Sequence, residues 1–257
     1  MKKYILDLEV TSVEMPHDRY VLLKLTHEER LPEMRAGQFA EVRIDGSRTT
    51  FLRRPISLNR VDRDRNEVWL LVQVVGDGTR KLAGLHVGDR LNVVMPLGKG
   101  FSVPPAGTRA LLVGGGVGTA PMLMLGEELR AAGTEPTFLL GARSERDLLE
   151  LDLFGKLGEV LTTTEDGSKG ERGYVTMHSA LRERTFDRIY CCGPKPMMVS
   201  VARYAKSRGI GCEVSLENMM ACGVGACLCC VENTVEGNVC VCKEGPVFDI
   251  NKLLWQI

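Results

Sequence analysis

Cysteines are the residues of this sequence with the clearest chemical potential, and they are unevenly placed. The chain has 257 residues and nine cysteines, none of which precedes Cys191, and six lie between Cys222 and Cys242. An odd number of cysteines without a secretory signal argues against a disulfide framework. Thiols clustered in a reduced compartment more often bind a metal. The last fifth of the sequence therefore predicts a metal centre.

The spacing of these thiols indicates which metal centre it is. Cys222, Cys227 and Cys230 follow the pattern C-x4-C-x2-C, with Cys240 and Cys242 downstream. This is the spacing of a plant-type [2Fe–2S] loop, whose fourth thiolate arrives from downstream. Zinc is the alternative, but structural zinc sites usually bring two C-x2-C pairs, and only one is present. Side chains two residues apart face the same way on a strand, so geometry does not choose between the two downstream thiols.

A glycine-rich turn at 114–118 is the second candidate site, because it follows an apolar strand and precedes a helix. Residues without side chains let a pyrophosphate approach the backbone, and a helix N-terminus offers free N–H groups. The spacing matches neither GxGxxG nor a P-loop, and a tight turn that needs glycine for packing alone is the alternative. A turn at 192–194 would face the same crevice. The predicted nucleotide-binding residues are Gly114, Gly115, Gly116, Val117, Gly118, Thr119, Cys192, Gly193 and Pro194.

Two motifs in the first half of the chain offer phosphate-binding chemistry. Arg54-Pro55-Ile56-Ser57 lies within a strand pattern, and Gly76-Asp77-Gly78-Thr79 follows another strand. An arginine presents paired planar donors, and a Gly-x-Gly-Thr turn presents backbone N–H groups and a hydroxyl. Spacing alone favours an ordinary surface role for both motifs.

The elements that position the first of these motifs read as short strands separated by turns. The predicted strands are 4–10, 20–26, 39–44, 50–58, 68–75 and 91–95. Regularly spaced short strands without a long helix predict a closed or nearly closed antiparallel β-barrel. Two prolines and a glycine at 103–107 then indicate a linker. We expect a first domain at 1–103.

Beyond the linker, strands alternate with helices. The predicted strands are 109–113, 137–141, 160–163 and 188–192, and the predicted helices are 121–132, 147–157, 175–184 and 195–208. This alternation predicts a doubly wound parallel sheet, here placed at 104–213. The Cys-rich tail at 214–257 has no core of its own. The expected fold is thus a β-barrel, an α/β domain and a small Cys-rich tail.

Composition excludes several classes of protein. Thirty-three basic residues balance 33 acidic ones, which argues against a nucleic-acid binder or a polybasic membrane-surface protein. No uncharged stretch reaches the ~20 apolar residues of a transmembrane helix, and a cytoplasmic protein is expected. The four histidines are scattered, and none pairs with a nucleophile. We therefore predict no catalytic acid, base or nucleophile.

The order of the motifs resembles the ferredoxin–NADP reductase superfamily, in which a flavin barrel precedes a nicotinamide-nucleotide domain. The motifs are RPIS at 54–57, GDGT at 76–79, PLGKGF at 96–101, GGGVG at 114–118 and CGP at 192–194. The residues that this resemblance implies for FAD are Arg54, Pro55, Ile56, Ser57, Leu71, Val72, Gln73, Gly78 and Thr79. Many members have tyrosine at the position of Ile56, so ring stacking on the flavin is lost or supplied elsewhere.

Two tail motifs resemble one family more specifically, over essentially the whole chain. They are MMACGVGAC at 219–227 and VCKEGPVF at 241–248. The family is that of the electron-transfer subunits of B-type, NAD-dependent dihydroorotate dehydrogenase. Its fourth cluster ligand directly precedes the run ending in Gly-Pro-Val-Phe. The implied ligands are Cys222, Cys227, Cys230 and Cys242, which leaves Cys229 and Cys240 as extra thiols.

The resemblance implies that this chain is half of an enzyme. Dihydroorotate would be oxidised in an FMN-containing catalytic subunit, and electrons would pass singly to the cluster, collect on FAD and leave as hydride to NAD+. A heterotetramer of two such chains with two catalytic subunits is implied. The chain has no room for the separate (β/α)8 barrel of ~250 residues that holds the orotate site in this family.

Other functions stay open at the level of sequence. A related function is an NAD(P)H-dependent reductase for another oxidoreductase, such as a sulfide dehydrogenase or an oxygenase. A redox sensor without turnover and a zinc-stabilised interaction module belong to different classes. The sequence does not decide between NAD and NADP, because Arg143 and Ser144 suit a 2′-phosphate, whereas Glu145 and Asp147 repel one. The resemblance favours NAD.

Overall fold

The first half of the chain forms a seven-stranded antiparallel sheet in the computed structural model, which describes residues 2–257. Its elements are β1 (Tyr4–His17), β2 (Tyr20–Thr26), β3 (Phe39–Val42), β4 (Arg54–Ser57), β5 (Arg60–Asp62), β6 (Glu67–Gln73), α1 (Asp77–Ala83) and β7 (Arg90–Leu97). The strand order is β4-β3-β7-β1-β2-β6-β5. Alternating apolar residues such as Leu8 and Val10 point into the core, as the period of two predicts.

The two edge strands bring the ends of this sheet together. β4 and β5 are consecutive in the chain and are separated by only Leu58 and Asn59. The Leu58 N–H donates to the Gln38 carbonyl at 2.9 Å, beside β3, and the Asn59 N–H donates to the Trp69 carbonyl in β6 at 3.0 Å. The predicted, nearly closed barrel is therefore confirmed.

Three of the differences between the predicted barrel elements and the structure concern the strand before the barrel edge, the short strand β5 and the Gly-Asp-Gly-Thr motif. The strand expected at 50–58 is ordered as a strand only over β4, because residues before it form a loop around the Ser47 hydroxyl, which accepts from the Thr50 N–H at 2.9 Å. β5 was not predicted, since three residues carry too little periodicity. The Gly-Asp-Gly-Thr motif is not an open turn, because Asp77 begins helix α1.

The second half is an α/β sheet of six parallel strands, to which the tail adds a seventh. Its elements are β8 (Ala110–Gly115), α2 (Ala120–Ala131), β9 (Thr137–Ala142), α3 (Leu151–Gly155), β10 (Glu159–Thr164), β11 (Glu171–Arg172), α4 (Ala180–Glu183), β12 (Arg188–Cys192), α5 (Lys195–Ser207) and β13 (Gly211–Ser215). The strand order is β11-β10-β9-β8-β12-β13, with every pair parallel. This is the doubly wound arrangement that the alternation predicts.

Two helices of this sheet are shorter than predicted. The helix expected at 147–157 starts only at Leu151, because Glu150 adopts a left-handed conformation with φ of 56°. The helix expected at 175–184 is split into a 3-10 turn and α4, because His178 is extended. The Ser179 N–H next to it donates to the Glu171 carboxylate at 2.9 Å.

The tail adds a hairpin and the last strand of the α/β sheet. Its elements are β14 (Val231–Thr234), β15 (Gly237–Cys240), α6 (Val241–Glu244), β16 (Val247–Asp249) and a 3-10 turn (Ile250–Lys252). β16 pairs antiparallel with β13 at the sheet edge. Phe248, Ile250 and Leu253 are buried in the same apolar cluster as Val214. No helix formed by residues 2–257 is long and apolar enough to cross a membrane.

Candidate functional site

A cavity of about 710 Å3 lies between the barrel and the carboxyl edge of the parallel sheet. Tyr20 and Gln73 line it from the barrel. The α/β side contributes predicted nucleotide-binding residues, which are Gly115, Gly116, Val117, Gly193 and Pro194. The structure therefore brings the two glycine-containing turns to one cavity, as expected for the carboxyl ends of neighbouring parallel strands.

Glycines in these turns allow the two segments to touch. A Cβ at Gly118 would lie 2.5 Å from the Cys192 carbonyl oxygen, and one at Gly115 would lie 2.5 Å from Met197 Sδ. Gly116 differs from both. Its φ is +56°, and the nearest atom to a Cβ at this position would be the Tyr20 hydroxyl oxygen at 3.9 Å. Packing thus explains two of the glycines, whereas Gly116 leaves the backbone open to the cavity.

Thr119 and Gly114 complete the turn without facing the cavity. The Thr119 hydroxyl donates to the Gly116 carbonyl at 3.0 Å, and this bond fixes the 3-10 turn that precedes α2. A Cβ at Gly114 would lie 2.8 Å from Thr119 Cγ2. Both residues therefore shape the turn that presents Gly116.

Cys192 and Glu217 form a pair that the sequence patterns did not indicate. The Cys192 thiol is buried and lies 3.9 Å from Glu217 Oε1, and Glu217 lines the cavity. Burial raises the pKa of the Glu217 carboxyl and of the Cys192 thiol. Glu217 follows β13 at the cavity edge, a position that only the paired sheet defines.

The barrel motifs meet beside α1. The Arg54 side chain packs on Gly78, where a Cβ would lie 3.1 Å from Arg54 Nε. The Arg54 guanidinium donates to the carbonyls of Leu52 and Arg53, and no carboxylate among residues 2–257 forms an ion pair with it. This cation can therefore bind an anion from outside the chain.

The other residues implied for FAD occupy two strands and the start of α1. Arg54, Pro55, Ile56 and Ser57 are half-buried along β4, while Leu71 and Val72 are buried in β6. The Gln73 amide lies 3.4 Å from the Tyr20 hydroxyl. The Thr79 hydroxyl accepts from the N–H groups of Val75 and Gly76. Thr79 thus organises the backbone of this turn.

Only two of the four residues that bear on the choice between NAD and NADP line the cavity. Ser144 donates to the Asp147 carboxylate at 2.9 Å, and Asp147 also pairs with Arg19 of the barrel. Glu145 pairs with Lys169 at 3.0 Å. Arg143 and Asp147 line the cavity, whereas Ser144 and Glu145 do not.

The cluster thiols are arranged in two pairs. Cys227 lies close enough to Cys222 to influence the pKa of its thiol, and the Cys242 N–H donates to Cys230 Sγ at 3.4 Å. A [2Fe–2S] cluster takes four cysteine thiolates, two on each iron, so this pairing fits it. No three His, Cys, Asp or Glu side chains of residues 2–257 converge on a point that one ion would occupy.

Backbone N–H groups point at the sulfurs. Val224 and Ala226 donate to Cys222 Sγ, each at 3.4 Å, and Gly225 donates to Cys242 Sγ at 3.1 Å. Burial raises the pKa of the Cys222 thiol, but the backbone N–H groups of Val224, Cys227 and Ala226, together with the Cys227 thiol, outweigh burial and lower the pKa to about 6. Such donors stabilise thiolate and cluster sulfur alike.

Cys242 is the more deeply placed of the two downstream thiols. It is 1% exposed, and burial together with the neighbouring Cys230 raises its pKa to about 12. Cys240 is half-buried and lies on the Gly225 carbonyl, while Cys229 is exposed. The contacts of Cys242 with the Gly225 N–H and with Cys230 support Cys242, and not Cys240, as the partner of Cys230.

The loop at 222–230, called the thiol loop below, rests on the barrel one strand away from the Arg-Pro-Ile-Ser motif. A Cβ at Gly223 would lie 2.5 Å from Cγ of Glu41 in β3. In the β3–β4 register, Glu41 is directly opposite Pro55. Neighbouring strands are about 4.8 Å apart. The thiol loop and the β4 motif are therefore separated by a single strand.

The solved structures with the same fold define the class of this protein as a ferredoxin reductase-like protein. Ferredoxin NADP+ reductase from Neisseria gonorrhoeae matches with a TM-score of 0.67 over 80% of this chain and 92% of that chain, at 17% identity, which shows the fold. The NADH-dependent reduced ferredoxin-NADP oxidoreductase matches more closely. Its TM-score is 0.87 over 96% of this chain and 90% of that chain, at 30% identity.

Sequence comparisons identify the family. The NAD-binding domain of oxidoreductases matches residues 112–203, and the iron–sulfur cluster binding domain of dihydroorotate dehydrogenase B matches residues 217–254. The dihydroorotate dehydrogenase B (NAD(+)) electron transfer subunit of Shouchella clausii (strain KSM-K16) is 38% identical over 95% of this chain and 96% of its own length. The chain belongs to this family of electron transfer subunits.

Proposed function

We propose that this chain carries electrons between an FMN-containing dihydroorotate dehydrogenase subunit and NAD+. The observation that carries the proposal is the single-strand separation between the thiol loop and β4, where Gly223 lies on Glu41 and Glu41 lies opposite Pro55. When bound, a [2Fe–2S] cluster supplies one-electron transfer and FAD converts it to two-electron transfer. The 38% identity to an electron transfer subunit supports the same function.

Within this proposal, the barrel at 1–103 holds FAD. Arg54 binds the pyrophosphate beside Gly78 and Thr79, because its guanidinium has no carboxylate partner there. The ring system lies along the half-buried strand of Pro55, Ile56 and Ser57, with Leu71, Val72 and Gln73 on the neighbouring side. Tyr20 is an aromatic side chain near Gln73 that sequence reasoning missed.

The α/β domain at 104–213 binds NAD in the cavity described above. Gly116 and Val117 present open backbone to the dinucleotide, and Gly193 and Pro194 face it from the neighbouring turn. Gly114, Gly115, Gly118, Thr119 and Cys192 hold the two turns together. Asp147 in this cavity suits ribose hydroxyls and Arg143 suits a 2′-phosphate, so the assignment of NAD rests on the 38% identity to an NAD(+) subunit.

The tail at 214–257 binds the cluster through Cys222, Cys227, Cys230 and Cys242. The backbone N–H groups that donate to Cys222, Cys230 and Cys242 sulfurs support this set. The partner in this proposal is an FMN-containing catalytic subunit, in a complex of two chains of each kind, located in the cytoplasm. In this proposal, none of residues 2–257 acts as a catalytic acid or base.

A second candidate function is favoured by one observation. The NADH-dependent reduced ferredoxin-NADP oxidoreductase matches this structure with a TM-score of 0.87 and 30% identity. A chain with the same cofactors would then serve a partner that reduces NADP with ferredoxin electrons. The cavity and the thiol loop fit both functions, because both functions use the same cofactor sites and differ only in the partner protein.

Affinity purification of the tagged chain from its native host, without oxygen, tests the two functions. The eluate is assayed for NAD+ reduction by dihydroorotate and, separately, for NADP+ reduction by NADH with reduced ferredoxin. We expect the first activity and an FMN-containing partner of ~300 residues. The second activity alone would replace the proposed function by the second one. Reduction of FAD by NADH with neither activity would assign the chain to another oxidoreductase.

A further inference from the structure

We propose that Cys240 is a reserve ligand, a fifth thiol that binds the cluster iron when Cys242 is unavailable. The proposal rests on the four-thiolate cluster of the proposed function. It assigns a role to a cysteine that stands outside the ligand set, and it follows from where the Cys240 side chain lies relative to the thiol loop.

Cys240 and Cys242 approach the same residue of the loop. The Cys242 sulfur accepts a hydrogen bond from the Gly225 N–H at 3.1 Å, and the Cys240 thiol lies 3.9 Å from the Gly225 carbonyl oxygen. Gly225 lies between Cys222 and Cys227 in the sequence. Both downstream thiols therefore face the segment that wraps the cluster.

The β14–β15 hairpin fixes Cys240 beside the other ligands. Cys240 is directly opposite Val231, which follows Cys230. Val241 then starts α6, and its N–H donates to the Cys230 carbonyl at 3.0 Å.

Cys229 provides the contrast within the same segment. It directly precedes Cys230 in the chain, closer than Cys240, but its side chain is exposed and makes no hydrogen bond to any of residues 2–257. Leu228 before it has a φ of +59°, which turns the backbone at this point. Sequence proximity alone therefore does not bring a thiol to the loop, and Cys229 serves as a matched control.

A cluster held by Cys240 would differ from the wild-type cluster. Cys242 is 1% exposed and bonded to the Gly225 N–H, whereas Cys240 is only half-buried. Exchanging one for the other moves a ligand toward solvent and removes a backbone hydrogen bond to a ligating sulfur. Both changes alter the electronic environment of the iron.

The test compares Cys242→Ala with Cys240→Ala/Cys242→Ala and with Cys229→Ala/Cys242→Ala. Each full-length chain is reconstituted anaerobically with iron and sulfide. Iron content and the EPR spectrum of the reduced protein are measured, and circular dichroism and FAD content monitor folding. We expect Cys242→Ala and the Cys229 double variant to keep a cluster signal with shifted g values. The Cys240 double variant should lose both the signal and the iron.

Loss of the cluster from a folded Cys242→Ala variant would overturn the proposal, and so would its retention in the Cys240 double variant. If alanine prevents folding, the same comparison with Cys242→Val decides, because valine fills the site and has no atom that can bind iron. Retention that depends on Cys240 again supports the reserve role, and any other result overturns it. A wild-type chain without a [2Fe–2S] signal would instead refute the cluster assignment and the proposed function.

Discussion

Gly118 shows how one residue without a side chain brings two binding turns together. Its ideal Cβ position is 2.5 Å from the Cys192 carbonyl oxygen, which is backbone and has no rotamer with which to move away. We expect Gly118→Ala to push the 192–194 turn from the Gly116 turn. Overpacking of this kind costs about 1–3 kcal/mol. NADH binding should weaken about tenfold or more, because a dinucleotide needs both turns in place.

Gly155→Ala is the matched control for this prediction, since Gly155 lies in α3 with open space around its Cβ position. Thermal unfolding and NADH titration of the flavin absorbance are measured on both variants. The Gly155 variant should match the wild type in NADH affinity. Equal affinities in the two variants would contradict the close-contact argument.

Local spacing predicts some site residues and misses others for a physical reason. The thiol pattern and the glycine turn are local in sequence, so their residues were predictable, and the structure places Gly115 and Gly193 at one cavity. Glu41, Tyr20 and Glu217 had no such signal. Each belongs to the site through strand pairing with residues distant in the chain, which a single sequence does not display.

At the scale of the element, the start of α3 is governed by a buried carboxylate. Glu150 precedes the helix with φ of 56°, and its Oε2 accepts from the Asn59 amide at 2.9 Å across the two sheets. Its second oxygen has no partner among the described residues. Burial raises the pKa of Glu150 to about 7, while the Asn59 hydrogen bond acts in the opposite direction.

This shift predicts that stability falls as pH rises. The native state binds more protons than the unfolded state between the ordinary pKa of 4.5 and about 7, so Glu150 contributes its full stability below that range and loses it through the range. Glu150→Gln keeps an acceptor for Asn59 and removes the charge. We expect the variant to gain up to about 3 kcal/mol over the wild type at pH 8 and little at pH 5.

Urea unfolding at several pH values checks this expectation, with Glu135→Gln as the control. Glu135 is an exposed glutamate in the loop before β9, so its substitution should leave the pH profile unchanged. Wild-type and Glu150→Gln curves that stay parallel from pH 5 to pH 8 would show that Glu150 does not control the pH dependence.

The elements themselves were predictable where their periodicity is strong. β12 begins and ends at the predicted residues, and α2 and α5 are within one residue of expectation at each end. The failures share one cause. The helices expected at 147–157 and 175–184 are interrupted where Asp147, Glu150 and Ser179 make contacts to residues of other elements, and such contacts override helix propensity.

At the scale of the whole molecule, the tail and the α/β domain form a continuous structure. β16 covers the β13 edge, and Phe248, Ile250 and Leu253 are each less than 7% exposed. Burying such a side chain contributes about 2 kcal/mol, and the total stability of a domain is only about 5–15 kcal/mol. The tail therefore stabilises the nucleotide-binding sheet, in addition to carrying the cluster thiols.

A chain that ends at Leu216 is consequently expected to lose the fold of the α/β domain, with a large loss of ellipticity and aggregation in gel filtration. The full-length chain with its cluster removed by chelation keeps β16 in place, so it should still unfold cooperatively at a moderately lower temperature. This comparison separates burial by the tail from metal binding, because only the truncation exposes the β13 edge and the apolar cluster around Val214. Equal destabilisation of the two proteins would mean that the cluster, and not the packing of Phe248, Ile250 and Leu253, holds the tail on the sheet.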